Sequence, residues 1–184
     1  MTARVWMVRH APVGVAGVCY GQRDVATTMD ASSAAAVIED ALSRSGAPPW
    51  DEIWTSPWER TFLLAAALAE RAGPGTVLGR DARLSELAFG EWEGLTYSEI
   101  ETRDAARFSR WMLSYDSVAP PGGETADALV ARVAHFLADV ESSGKTVLAV
   151  CHAGTIRAAR ASRARTRFSS VAMTPVPFLS PEEL

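Results

Sequence analysis

Arg4-Val5-Trp6-Met7-Val8 runs directly into Arg9-His10-Ala11-Pro12, and this stretch decides how the chain is read. A short, largely apolar run predicts a strand buried on both faces of a sheet. Pro12 cannot continue a central strand, so Arg9-His10 stands at the strand's end, where a loop begins. A second run of the same kind, Thr146-Val147-Leu148-Ala149-Val150, ends in Cys151-His152-Ala153-Gly154. Glu52-Ile53-Trp54-Thr55 is a shorter strand, followed by a helix that Ser56-Pro57 opens and whose first turn carries Arg60. In open α/β sheets, ligands bind beyond the carboxyl ends of the strands. Two arginines and two of the three histidines of the chain therefore converge on one spot. Such a cluster repels itself without an anionic ligand, and a phosphate group offers oxygens suited to guanidinium forks.

Working outward, Asp30 caps a helix over residues 34–43 that Gly46 stops. Residues 76–78 form a third strand. Residues 97–115 are helical in two pieces broken near Asp104. Pro120-Pro121-Gly122-Gly123 is a breaker before an amphipathic helix over 124–140. Gly154 begins a further short helix, and residues 168–176 form a last edge strand limited by Pro175 and Pro177. Strands alternating with helices predict an α/β three-layer sandwich, with a mainly parallel central sheet flanked by helices, as one domain over 1–184.

Composition narrows the function. The 184 residues are 48% hydrophobic and 22% charged, with a formal net charge of −4. That balance argues against nucleic-acid binding through bulk charge. The longest apolar run is far below the roughly 20 residues of a membrane span, and no secretory leader is visible, so the expected location is cytoplasmic with no membrane partner. Two cysteines are too few for a disulfide framework and read as reduced thiols. His135, mid-helix between core positions, carries no role.

The ordered motifs resemble the histidine phosphatase, or phosphoglycerate-mutase-like, superfamily. Val8-Arg9-His10 is similar to its Arg-His signature, and Thr55-Ser56-Pro57-Trp58-Glu59-Arg60 to the segment that supplies a phosphate-binding arginine. Residues 84–94 resemble its acidic segment, Pro121-Gly122-Gly123-Glu124-Thr125 the loop before its long helix, and residues 147–157 the segment bearing its second histidine. The resemblance implies His10 as nucleophile through a phosphohistidine, Arg9, Arg60 and His152 around the phosphoryl oxygens, and Glu86 as proton donor to the leaving group. It implies no metal and no cofactor, because arginines supply the charge stabilisation. Glu91 and Glu93 read as surface or loop-stabilising carboxylates. The sequence departs from the family in having Ala11 where glycine is common, Pro12-Val13-Gly14 in place of the usual threonine and asparagine, and Thr61-Phe62-Leu63-Leu64-Ala65 after Arg60.

The chain is too short to hold comfortably the segments with which mutases close over their site, so hydrolysis is expected. Gly17-Val18-Cys19-Tyr20-Gly21-Gln22-Arg23-Asp24-Val25 resembles the α-ribazole phosphatase branch. This implies a small phosphorylated substrate, α-ribazole 5′-phosphate of cobalamin nucleotide-loop assembly. Tyr20 and Arg23 are then candidate contacts to base or ribose, against the alternative of a loop that packs on itself. The expected assembly is a monomer or homodimer. Other readings stay open: a broad-specificity phosphatase of the same superfamily, a module that binds a phosphate ligand without turnover, and a cysteine-nucleophile phosphatase. The last rests on Cys151-His152-Ala153-Gly154-Thr155-Ile156-Arg157, which fits a cysteine–five–arginine loop.

Overall fold

The structure, a computed structural model, describes residues 3–47 and 49–184. Its centre is a sheet of five strands: β1 (Arg4–Arg9), β2 (Glu52–Thr55), β3 (Val77–Arg80), β4 (Thr146–Cys151) and β5 (Glu182–Glu183), in the order β3-β2-β4-β1-β5. All neighbours pair in parallel except β5, which runs antiparallel to β1. Alternation along the strands sorts the core into two layers. Val5, Met7, Val147, Ala149 and Cys151 face one cluster, and Trp6, Val8, Ile53, Leu148 and Val150 face the other.

The first layer is covered by α5 (Ala126–Ser143) and α6 (Ala153–Ala164), with α3 (Tyr97–Arg103) and α4 (Ala105–Ser114) beyond them. The second is covered by α1 (Ala31–Ser45) and α2 (Glu59–Ala72). This is the expected three-layer α/β sandwich. Each fully buried Leu, Ile, Met or Val contributes about 1.5–3 kcal/mol, and the two-sided pattern leaves one register that buries both sets.

Local sequence explains most boundaries. The Asp30 carboxylate accepts from the Ser33 amide at 2.9 Å and starts α1. Thr96 and Glu99 close a capping box on α3, and Thr125 caps α5. Asp104 separates α3 from α4, as its position predicts.

Three expectations need correction. Helix α2 begins at Glu59 after Trp58, so Pro57 lies outside its first turn. The Ser56 hydroxyl is engaged elsewhere and does not cap the helix. Helix α5 starts two residues later and ends three later than periodicity alone predicts, because the cap at Thr125 and the end at Gly144 set it. Residues 168–176 are not the edge strand. Phe168–Ser170 is a single 3-10 turn, and the segment beyond it is held by side chains: Arg157 Nε donates to the Thr174 carbonyl, Arg9 Nη1 to Val176, and Arg160 Nη1 to Pro175. The edge strand is Glu182–Glu183, where Arg4 and Arg160 pair with the two carboxylates. No helix among the described residues is long and apolar enough to cross a membrane.

Candidate active site

The parallel register places the site. Arg9 pairs with Cys151, so His10 and His152 each sit one residue beyond the paired ends of adjacent strands. The His10 amide donates to the Cys151 carbonyl at 3.1 Å, and the Ser56 amide reaches the Val150 carbonyl at 3.4 Å. Three strand ends thus bring His10, His152 and Ser56 side by side. The two imidazole centroids are 5.3 Å apart.

His10 is 1% exposed. Its Nδ1 lies 2.7 Å from the Ala11 carbonyl, which can only accept, so Nδ1 carries the proton and Nε2 keeps its lone pair. Burial pushes the imidazole pKa down to about 3, with Arg60 and Arg9 adding to the shift against that hydrogen bond. A neutral, oriented imidazole with a free Nε2 is a nucleophile at neutral pH.

The hydroxyl partners of His152 fix its tautomer in the same way. Thr61 Oγ1 donates to the Trp58 carbonyl at 2.8 Å, so it accepts from Ser56 Oγ at 2.7 Å. Ser56 Oγ then accepts from His152 Nε2 at 2.8 Å. That leaves Nδ1 of His152 bare, buried and without a partner. Burial first, then Arg60 and His10, hold this imidazole well below its ordinary pKa.

Arg60, 3% exposed, is held by the loop that follows β1. Its Nη2 donates to Gly21 at 2.6 Å and its Nη1 to Arg23 at 2.7 Å, both backbone carbonyls. Gly21 is required there: it has φ +35°, and a Cβ would stand 2.7 Å from the Leu87 carbonyl. The Arg9 guanidinium lies 3.5 Å above the Phe178 ring, which is 5.7 Å from His10 between centroids. Among the described residues, seven buried side-chain nitrogens lack a partner; four are tryptophan indoles, and the others are Arg9 Nε, Arg60 Nε and His152 Nδ1. Buried polar atoms are normally satisfied. Three orphans on residues grouped with His10 mark a place for a ligand rich in oxygen.

Glu86 reaches the same end of the sheet. Its Oε2 accepts from the Gly154 amide at 3.1 Å and its Oε1 from the Leu87 amide at 2.9 Å. A Cβ at position 154 would stand 2.0 Å from Glu86 Oε1, so only glycine admits the carboxylate. Glu93 ties the loop, accepting from the amides of Gln22 and Phe89, in keeping with its reading as a loop-stabilising carboxylate. From Glu86 and Gly154 a cavity of about 370 Å³ extends, lined by Leu87, Phe89, Trp111, Tyr115, Phe168 and Arg157 among others.

The two loop candidates separate. The Tyr20 ring lies 6.5 Å from His10 and 5.2 Å from the Arg60 guanidinium carbon. Arg23 is exposed, and its Nη1 donates to the Glu93 carbonyl at 3.1 Å, so its side chain packs along the loop. Cys151 is still strand, belongs to the core cluster, and has its thiol pushed well above the ordinary range by burial. A thiol so placed is inert.

Sequence reasoning missed Arg132. Its guanidinium makes five hydrogen bonds, to both Glu124 oxygens and to the carbonyls of Arg83, Ser85 and Glu86. Glu124 also accepts from the Ala88 amide. Glu124 precedes α5 and Arg132 lies within it, so no helical spacing in the sequence signalled the pair. His135 is exposed.

A bifunctional protein of Mycobacterium tuberculosis is 37% identical over 105 residues, which is 56% of this chain and 28% of that protein. The chain therefore spans little more than a quarter of that relative. The crystal structure of the α-ribazole phosphatase of Shigella flexneri superposes with a TM-score of 0.83 at 23% identity, covering 98% of this chain and 89% of the other. A mycobacterial glucosyl-3-phosphoglycerate phosphatase in complex with VO3 gives 0.80 at 27% identity, covering 99% and 90%. The model of the histidine phosphatase superfamily (branch 1) matches residues 5–177. The chain belongs to that superfamily.

Proposed function

We propose that the chain is a phosphomonoester hydrolase that works through a phosphohistidine at His10 Nε2, and that its ester is α-ribazole 5′-phosphate. The observation that carries the chemistry is the neutral His10, with Nδ1 pinned to Ala11 and the unpartnered nitrogens of Arg9, Arg60 and His152 grouped with it. The Nε2 lone pair attacks phosphorus and the bond to the ester oxygen breaks. Glu86 gives its proton to the departing alkoxide. Water, deprotonated by Glu86, then attacks the phosphohistidine, releasing phosphate and restoring neutral His10. Arg9 and Arg60 balance the charge on the equatorial oxygens. His152, bare at Nδ1, accepts a proton from the phosphoryl group or from solvent as the ligand enters, since two facing lone pairs would repel.

Two features support the ester. The loop containing Tyr20 resembles the α-ribazole branch and lies against Arg60 and His10. The cavity beside Glu86 is walled by Phe89, Trp111, Tyr115 and Phe168, which suits a flat aromatic group such as the benzimidazole of α-ribazole. A second reading, hydrolysis of many small esters, is favoured by the rim: Met112 is 51% and Met173 92% exposed, so neither closes the cavity.

The test is phosphate release from α-ribazole 5′-phosphate, 3-phosphoglycerate, O-phosphoserine and an aryl phosphate by wild type, His10→Ala and Cys151→Ser. Preference for the first ester, lost only in His10→Ala, is expected. A flat preference with His10 essential leaves the broad-specificity reading. Loss in Cys151→Ser with retention in His10→Ala overturns the mechanism. Binding of phosphate without turnover of any ester makes the chain a binding module.

A further inference from the structure

Arg157 is the only cation among the cavity's described lining residues, and it is half-buried. Its Nε donates to the Thr174 carbonyl at 3.0 Å, and neither Nη has a hydrogen-bond partner among the described residues. No carboxylate lies within ion-pair distance of it there. Three residues on, Arg160 is paired with Glu182, and Arg83 and Arg132, also packed at α5, are each paired with acids. Burial lowers the Arg157 pKa, opposed by the more distant charge of Glu86. Neither Nη is among the buried unpartnered nitrogens, so both stay open to solvent and to a ligand entering the aromatic cavity. The fixed fork of Arg157 accepts one kind of group well: a hydrogen-bond acceptor in the plane of the guanidinium.

We propose that Arg157 is a specificity-determining residue that reads a hydrogen-bond acceptor at the edge of an aromatic leaving group. The inference rests on the phosphatase reading of the same site. The phosphoryl end lies with His10, the ester oxygen is met at Glu86, and the ring lies among Phe89, Trp111, Tyr115 and Phe168. An acceptor on the ring's edge, either a ring nitrogen or a carboxylate, then meets the free Nη groups. A purely hydrocarbon ring fills the cavity and leaves the guanidinium unpaired.

The experiment compares three aryl phosphates of one shape: 2-naphthyl phosphate, 6-quinolyl phosphate and 6-carboxy-2-naphthyl phosphate. Hydrogen bonds to a charged group contribute about 10- to 100-fold in an equilibrium. In wild type, kcat/KM is expected to rise about tenfold or more from the naphthyl ester to at least one acceptor-bearing ester. The ring nitrogen and the carboxylate distinguish the two sources of the acceptor. Arg157→Gln, which retains an amide donor for Thr174, is expected to bring the ratio to within about twofold of one. Arg157→Lys, with charge but no planar fork, is a second variant and is expected to lose preference for the quinolyl ester.

Equal kcat/KM values in wild type, or a preference that survives in both variants, overturn the inference. His10→Ala separates this failure from failure of the underlying reading. If naphthyl phosphate turnover requires His10, only the Arg157 assignment falls. If turnover persists without His10, the phosphatase reading falls with it; if wild type turns over none of the three esters while hydrolysing α-ribazole 5′-phosphate, the Arg157 assignment falls alone.

Discussion

Replacing Gly154 by alanine tests whether the carboxylate of Glu86 acts from where it lies. The new Cβ would stand 2.0 Å from Glu86 Oε1. Non-bonded heavy atoms reach their optimum near 3.5–4.0 Å, so the carboxylate must retreat by roughly 1 Å or more. That retreat also breaks the 3.1 Å bond from the Gly154 amide. A misplacement of roughly 1 Å at a reacting group costs about 100-fold in rate. Stability moves much less. Alanine in a helix is favoured over glycine by about 0.5–1 kcal/mol, which offsets roughly half of one lost hydrogen bond of about 1.5 kcal/mol. The expected melting temperature therefore stays within about 4 °C of wild type. The assay is kcat on an alkyl phosphate and on 4-nitrophenyl phosphate, beside a thermal melt. Loss of about 100-fold on the alkyl ester, with less than about fivefold on the nitrophenyl ester, is expected, because nitrophenolate departs without a proton. An alkyl-ester kcat within about threefold of wild type would refute the role given to Glu86. Equal loss on both esters would refute its action on the leaving group.

Acid should destabilise the ligand-free protein before ordinary carboxylates titrate. His10 has a folded pKa of about 3 against 6.5 when free, so between those values the unfolded chain binds more protons and unfolding free energy rises with pH. At pH 5 His10 alone lowers stability by about 2 kcal/mol relative to pH 7.5, with His152 acting in the same direction; urea midpoints at the two pH values measure this, and His10→Gln should flatten the slope. Arg132→Met removes three hydrogen bonds from the loop that carries Glu86 and two from Glu124, and is expected to cost about 3 kcal/mol in urea unfolding and to lower kcat more than it raises KM; unchanged kcat would make the clamp purely structural. Ser56→Ala strands the Nε2 proton of His152 and should weaken inhibition by vanadate about tenfold, whereas Ser56→Thr should restore most of it; equal inhibition in both variants and wild type refutes the hydroxyl relay.

Some of this was legible in the chain itself. The apolar runs 5–8 and 147–150 could only be strands buried on both faces, and the polar residues closing each run had to emerge at one end of the sheet. Hydrophobic alternation fixes which residues share a face, so the layers followed, and the cap at Asp30 bounded its helix by a local hydrogen bond, whereas the caps at Thr96 and Thr125 emerged with the structure. The three-layer fold and the convergence of His10 with His152 are therefore properties of the sequence. Other features depend on residues distant in the chain. Residues 168–176 had enough apolar character to read as a strand, but Arg9, Arg157 and Arg160 bind their carbonyls, and no local pattern records such bonds. The clamp of Arg132 on three carbonyls, the pinning of Arg60 by loop carbonyls, and the need for glycine at 154 arise from backbone that folding brings close. Tertiary structure alone decided the tautomers of both histidines and left Arg157 without an acid, because each depends on which acceptor lies within about 3 Å, a distance that sequence spacing does not encode beyond a turn or two of helix.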